Sequence, residues 1–275
     1  MQNHKRKTLL LVEGKSTEVQ LFGKILDCFP EIEVNKQDIL VYGTNLWKLH
    51  HALEKEFGST WYECDIDFIE FLKSSPVIIK QIDGFQENQE SIEHFSRNSF
   101  RDIFLVFDYE RQDPEFDVSL IKKMLEFWNE STENGLLYIN YPMIEAYKHL
   151  KKPLPDLAYL KRKCTCATLF SDETKQNKYK LTVGNESGFT DLRKYTRELF
   201  KEFVIHNLCK ASAMTRGTTD ISAETAQQYW QSLSLDEILD IQNQCAQSPI
   251  DGFVYVLATC LFFIPEYHSK LIFGT

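Results

Sequence analysis

Short unbroken apolar blocks alternate with longer stretches in which apolar residues recur every three or four positions. The blocks at 8–12, 38–42, 77–80, 102–107 and 136–140 are strand-sized and rich in Leu, Ile, Val and Phe. An apolar run without polar alternation is the pattern of a strand buried on both faces. Between the blocks, 16–29, 45–57, 63–73, 89–97 and 118–130 carry helical spacing. In 16–29 the apolar side is Val19, Leu21, Phe22, Ile25, Leu26 and Phe29, with Ser16 placed to cap. The segment 63–73 is acidic and aromatic and reads as a surface amphipathic helix. Strand and helix in turn predict βαβ units, an α/β fold and a mainly parallel sheet flanked by helices.

The pattern changes after residue 150. Pro153 and Pro155 break the chain, and a Lys-rich irregular stretch follows to about 187. From there the spacing predicts helices at 192–214, 223–233, 235–247 and 252–264, with Ser222, Ser234 and Asp251 as caps. The expected division is an α/β domain over 1–150 and a mainly α-helical part over 151–275.

Composition narrows the classes. The 275 residues are 43% hydrophobic, enough for a substantial core, and carry a net charge of −9 with a pI of about 5.4. Broad nonspecific coating of nucleic acid needs clustered cations, and this charge balance argues against it. A nucleic-acid enzyme whose acidic site is neutralised by metal ions is not. The longest apolar run, 253–264, is too short to span a bilayer and reads as a buried helix, with no membrane association expected. No export signal is visible before Glu13, and seven cysteines are an odd count. They read as reduced thiols of a cytoplasmic protein. Cys164-x-Cys166 and His206-x-x-Cys209 offer four zinc ligands of acceptable type at an unusual spacing. His206 and Cys209 read equally well as inward positions on a helix.

The stretch "LLLVEGKST" at 9–17 ends like a nucleotide-gripping P-loop. That loop needs a glycine five positions before Gly14, where Leu9 stands, and Glu13 would repel the phosphate. The alternative is that the strand at 8–12 delivers Glu13 to the carboxyl edge of a sheet, where α/β folds bind ligands. The strongest strand, in "DIFLVFDYERQD", delivers Asp108 and Glu110 together. In an extended chain, residues two apart share a side, so both carboxylates could face one ion; equally, they could cap the next loop. If the two strands are neighbours, Glu13, Asp108 and Glu110 meet at one edge. Their repulsion would then be relieved by a cation.

"VEGKSTEVQLF", then "FLVFDYE", then "YINYPMIEAYKHL" resembles the Toprim domain over roughly residues 7–150. More closely it resembles the RloB-like and abortive-infection branch of Toprim nucleases, related to the OLD type. The resemblance implies a Rossmannoid parallel sheet and a nuclease dependent on Mg²⁺ or Mn²⁺, cutting DNA or RNA, tRNA included. It implies Glu13, Asp108 and Glu110 as catalytic and metal-holding residues. Glu110 stands where the family usually has aspartate. Glu18 matches the glutamate of the Thr-Glu element, and by its place on the first helix it orients the loop. Glu145 matches that of Pro-x-x-Glu, following Pro142, and counts as a further metal ligand. Lys15, Lys148, Lys151 and Lys152 could hold substrate phosphate or be solubilising surface lysines, and "YLKRKCTC" is the most basic patch. The resemblance further implies a toxic effector of antiphage defence under a regulatory partner such as an ATPase, with self-association as an option. The alternative is a non-catalytic Toprim-like scaffold that binds a partner protein, which the Glu110 departure favours.

Overall fold

Lys7–Val12 forms β1, and it pairs in parallel on both sides. With β2 (Ile39–Val41) the register is Leu10↔Ile39 to Val12↔Val41; with β3 (Phe100–Asp108) it runs to Val12↔Val106. The computed structural model describes residues 7–74, 92, 94–166, 173–248 and 251–274. β5 (Gly135–Asn140) follows β3 in the sheet, and the two-residue β4 (Asn129–Glu130) pairs antiparallel to β5 at the edge, giving the order β2-β1-β3-β5-β4. The protein is α/β with a mostly parallel sheet flanked by helices. Leu9 to Val12 and Ile103 to Phe107 are all buried, as strands covered on both faces must be. Gly135 opens β5 with φ +126°; a Cβ there would sit 2.6 Å from Leu105 Cδ1, so only glycine lets β5 start against β3.

The chain divides into two compact units, Met1–Phe107 with Ser119–Tyr138, and Asp108–Val118 with Ile139–Thr275. In the first, α1 (Thr17–Cys28) buries Leu21, Phe22, Ile25 and Leu26. Ser16 precedes it without the expected side-chain capping bond. In α2 (Leu46–Phe57), the Asn45 side chain accepts from Lys48 N–H. The segment 63–73 is α-helical only in its second half, where Glu70 stays exposed and most other residues are buried. A 3₁₀ turn at Trp61–Glu63 leads to α3 (Phe68–Ser74), which buries Phe68, Ile69, Phe71 and Leu72. Aromatic contacts explain the burial: Phe68 lies 5.6 Å and Trp61 5.2 Å from Trp128, ring centre to ring centre. α4 (Val118–Phe127) stops short of 130 because Asn129 and Glu130 pair with β5. The strand expected at 77–80 and most of the helix expected at 89–97 lie outside the described residues. The described residues 94–97 are not α-helical.

In the second unit the stretch 151–187 is less irregular than its composition suggests. It contains α5 (Leu157–Leu160), β6 (Lys163–Thr165) and α6 (Glu173–Glu186). α7 (Arg197–Arg216) starts at a Thr196 cap and ends at Gly217 in the left-handed region, φ +70°. Serine caps at 222 and 234 open α8 (Ala223–Trp230) and α9 (Leu235–Cys245), as their sequences predict. The run at 252–264 is buried but is not one helix. It forms β7 (Phe253–Tyr255), antiparallel to β6, then a 3₁₀ turn at Thr259–Phe262 and α10 (Phe263–His268). Phe-Val-Tyr-Val suits a strand, and the Gln242 amide clamps it, accepting from Tyr255 N–H and donating to Tyr255 C=O at 2.9 Å each. Among the described residues no helix is long and apolar enough to cross a membrane.

Candidate metal centre

Where β1 ends, its neighbours still hold the backbone. Glu13 N–H donates to Val106 C=O at 3.1 Å, and Glu13 C=O accepts from Gly43 N–H at 2.9 Å. Glu13 is thus fixed one residue beyond the sheet, half-buried. Asp108 closes β3 and is 7% exposed. One ligand atom from each of Glu13, Asp108 and Glu110 lies within 4.8 Å of the others.

The route by which Glu110 arrives differs from the expected one. The chain is not extended there: β3 ends at Asp108, and Glu110 has φ +37°, the one positive value for a non-glycine among the described residues. A turn, closed by Asp113 N–H on Glu110 C=O at 2.9 Å, brings the carboxylate back. The Gln112 amide also donates to that carboxylate. Such a backbone costs about 1–3 kcal/mol and persists only where its surroundings over-determine it. Here the anchor is Tyr109, fully buried between the two acids in sequence. Its N–H donates to Asn140 C=O at 3.1 Å, its hydroxyl donates to Asn243 Oδ1, and its ring lies 5.0 Å from Tyr141 and 5.3 Å from Phe116. Burial pushes the Tyr109 phenol above its usual range, so it stays a neutral donor.

Three carboxylates this close repel unless protons or a cation intervene. Their oxygens are hard donors of the kind Mg²⁺ and Mn²⁺ take. β1 pairs on both sides from Leu10 to Val12, so no loop is present there to wrap a nucleotide phosphate. Gly14 serves a different purpose. A Cβ on it would lie 2.7 and 2.9 Å from the Glu18 carboxylate oxygens, so the buried Glu18 lies across the turn that carries Glu13. This is the loop-orienting place expected for Glu18.

Glu145 does not join the acidic group. It sits in a 3₁₀ turn, Ile144–Lys148, with Oε1 3.3 Å from Lys180 Nζ and Oε2 buried without a hydrogen-bond partner. Among the candidate phosphate-binding lysines, Lys15 is exposed in the turn after Glu13, and Lys151 and Lys152 are exposed. Lys148 is half-buried beside Tyr147, and Lys151 Nζ lies 3.8 Å from Glu186. In "YLKRKCTC", Lys161 and Lys163 face solvent while Arg162 pairs with Glu186 at 3.3 Å.

A second group, His50, His51 and Glu54, has metal-ligand spacing too. Proton placement argues against it. Trp61 Nε1–H, a donor only, points at His50 Nδ1 at 2.9 Å. The proton of neutral His50 is therefore on Nε2, the nitrogen facing Glu54 at 3.8 Å, and no lone pair remains for a metal. The zinc option fails similarly. His206 donates from Nδ1 to Glu202 C=O and accepts at Nε2 from Asp156 N–H, both at 2.9 Å, while Cys209 and Cys166 donate to the carbonyls of Ser222 and Ala246. These are the inward helix positions that the sequence left as the other option.

Sequence reasoning missed Tyr109, Lys210, Gln242 and Asn207, whose Oδ1 accepts from the Tyr159 hydroxyl and from Ala258 N–H at 2.8 Å each. One signal was present: Asn207 and Lys210 fall three apart on one face of a helix, beside the apolar Phe203, Val204 and Leu208. No protein-family model, no curated protein and no solved structure matches the chain.

Proposed function

We propose that the chain is a divalent-metal-dependent nuclease hydrolysing phosphodiester bonds in DNA or RNA, with Glu13, Asp108 and Glu110 holding Mg²⁺ or Mn²⁺. The observation that carries this reading is the convergence of those three carboxylates within 4.8 Å. The residues fit such an ion by donor chemistry and by charge: oxygen ligands only, acidic, and one of them buried. A divalent cation held there would lower the pKa of a bound water and offset charge on the phosphate oxygens.

The residues divide the work. Asp108, closing β3, gives a rigid ligand direction. Glu13, held through its N–H and C=O, gives a second. Glu110, on its strained turn and tethered by Gln112, gives an adjustable third. Exposed Lys15 follows Glu13 by two residues and suits a substrate phosphate. The likeness of "VEGKSTEVQLF" and "FLVFDYE" to Toprim nucleases of the RloB-like and abortive-infection branch supports the same reading. It adds a setting: a cytoplasmic toxic effector of antiphage defence, controlled by a partner such as an ATPase.

The test is incubation of the purified protein with supercoiled plasmid, single-stranded DNA and tRNA, in Mg²⁺, in Mn²⁺ and in EDTA. Cleavage with either metal, none in EDTA, and a fall of about a thousandfold or more in Glu13→Ala and Asp108→Ala is the expected result. Variants that cut as well as wild type would sink the assignment. Glutamate in place of the family's aspartate at 110 favours a second reading, a scaffold without catalysis. A metal-holding site at tenfold the dissociation constant stabilises the protein by about 1.4 kcal/mol, RT ln 11. A scaffold without a metal site gains nothing and cuts nothing.

A further inference from the structure

The second unit carries a cleft of about 890 Å³ formed by residues of α5, β6, β7 and the end of α7. Its size is that of a small-ligand site. One wall is apolar: Leu157, Leu160, Met214 and Tyr255. Leu157 is 60% exposed there, the kind of uncovered carbon that a ligand would shield. Lys161 and Lys163 supply two cations, and among the described residues no carboxylate lines the cleft. In a chain of net charge −9 that is a local reversal of sign. Thr218 and Thr219 contribute hydroxyls.

The walls are set before any ligand arrives. Lys210 Nζ donates to the carbonyls of Tyr159 at 2.7 Å and Arg162 at 2.6 Å, which fixes the turn that presents Lys161. Lys163 Nζ lies 3.9 Å from the centre of the Phe253 ring, and the Gln242 clamp holds the backbone of Tyr255. A matching ligand has an anionic end, a flat apolar body and polar edges. A fatty anion lacks the polar edges, and an acidic peptide without aromatic side chains lacks the flat face that Tyr255 can stack against.

We propose that this cleft binds a nucleotide unit, its phosphate on Lys161 and Lys163 and its base against Tyr255, Met214 and Leu157. The unit is a free nucleotide or one residue of a single strand. The proposal is independent of the acidic group at Glu13, because binding needs no metal and no cleavage.

Fluorescence polarisation in EDTA tests it, with fluorescein-labelled oligo(dT) and oligo(rA) of twelve residues and unlabelled AMP as competitor. The variants are Lys161→Glu with Lys163→Glu, Leu157→Asp alone, and a charge-matched control, Lys194→Glu with Lys270→Glu. All the substituted residues are exposed, and circular dichroism checks that each variant folds. The expected result is at least a thirtyfold loss of strand affinity in the cleft pair, about tenfold in Leu157→Asp, and under threefold in the control. The log–log salt slope should fall in magnitude by about 0.7 in the cleft pair, the one phosphate contact it removes. Displacement by AMP points to a free nucleotide, and its failure with the variant losses intact points to a strand; both support the cleft. Equal losses in the control pair, no binding of any probe to wild type, or stronger competition by a Glu-Tyr copolymer than by nucleotides would overturn it.

Discussion

Lys210→Met is the sharpest probe of how the second unit is held. The amino group is fully buried on α7, donates to two carbonyls and lies 4.4 Å from the Tyr159 ring centre. Removing it does not orphan either carbonyl, because Tyr159 C=O also accepts from Arg162 N–H at 3.0 Å and Arg162 C=O from Val256 N–H at 3.1 Å. The loss is then about 1 kcal/mol for each of the two hydrogen bonds, which a neutral amine still donates, offset by relief from burying a polar group. At neutral pH the net change is small, within about 3 kcal/mol. The pH dependence is where the effect shows. Burial, then the neighbouring Arg162 guanidinium, holds the Lys210 pKa well below the usual 10.5, against opposing pulls from Cys164 and Asp156. The unfolded chain therefore keeps a proton that the folded chain releases. Stability rises with pH from the folded pKa up to 10.5, by at most about 1.4 kcal/mol per pH unit. Cys164, whose thiol burial pushes up to about 12, and the buried Tyr159 phenol keep their protons in the folded protein. Wild type and variant share them, so they cancel in the difference. Urea unfolding followed by tryptophan fluorescence from pH 7.5 to 9 should show wild type gaining on the variant as pH rises. Parallel stability curves, or a variant that gains on wild type, would refute the reasoning.

Gly135→Ala should destabilise by about 2–4 kcal/mol in the same assay, since it combines φ +126° with a 2.6 Å contact to Leu105. Burial, aided by Arg162 and opposed by Glu186, lowers His149 to about 4, so the folded protein loses stability as pH falls from about 6.5 toward 4. His149→Gln should flatten that acid limb, with a ceiling of about 3 kcal/mol measured by urea unfolding at pH 4.5 and 7. Gly14→Ala should push the Glu18 carboxylate aside and cut metal-dependent cleavage with little change in melting temperature.

The sheet was readable because strands buried on both faces leave runs such as Leu9 to Val12 and Ile103 to Phe107 that no amphipathic element produces. The acidic group was readable from the same fact, since each run ends at a carboxylate. Its geometry was not: periodicity carries no signal for the left-handed turn at Glu110, which depends on Tyr109 reaching Asn140 and Asn243. The run at 252–264 misled because a segment apolar on every side has no period, and its strand depends on Gln242 and β6, far away in sequence. α6 was hidden for the opposite reason. Its residues are almost all polar, and few anchors hold it, Tyr179 and Val183 by burial and Glu186 by its ion pairs with Arg162 and Lys151.

Crystals grown in Mn²⁺ and measured at the manganese absorption edge test the central claim most directly. The account predicts an anomalous peak bonded to carboxylate oxygens of Glu13, Asp108 and Glu110, lost in Asp108→Ala crystals of the same form. Manganese bound elsewhere with those three carboxylates bare, or a peak that persists without Asp108, would contradict it.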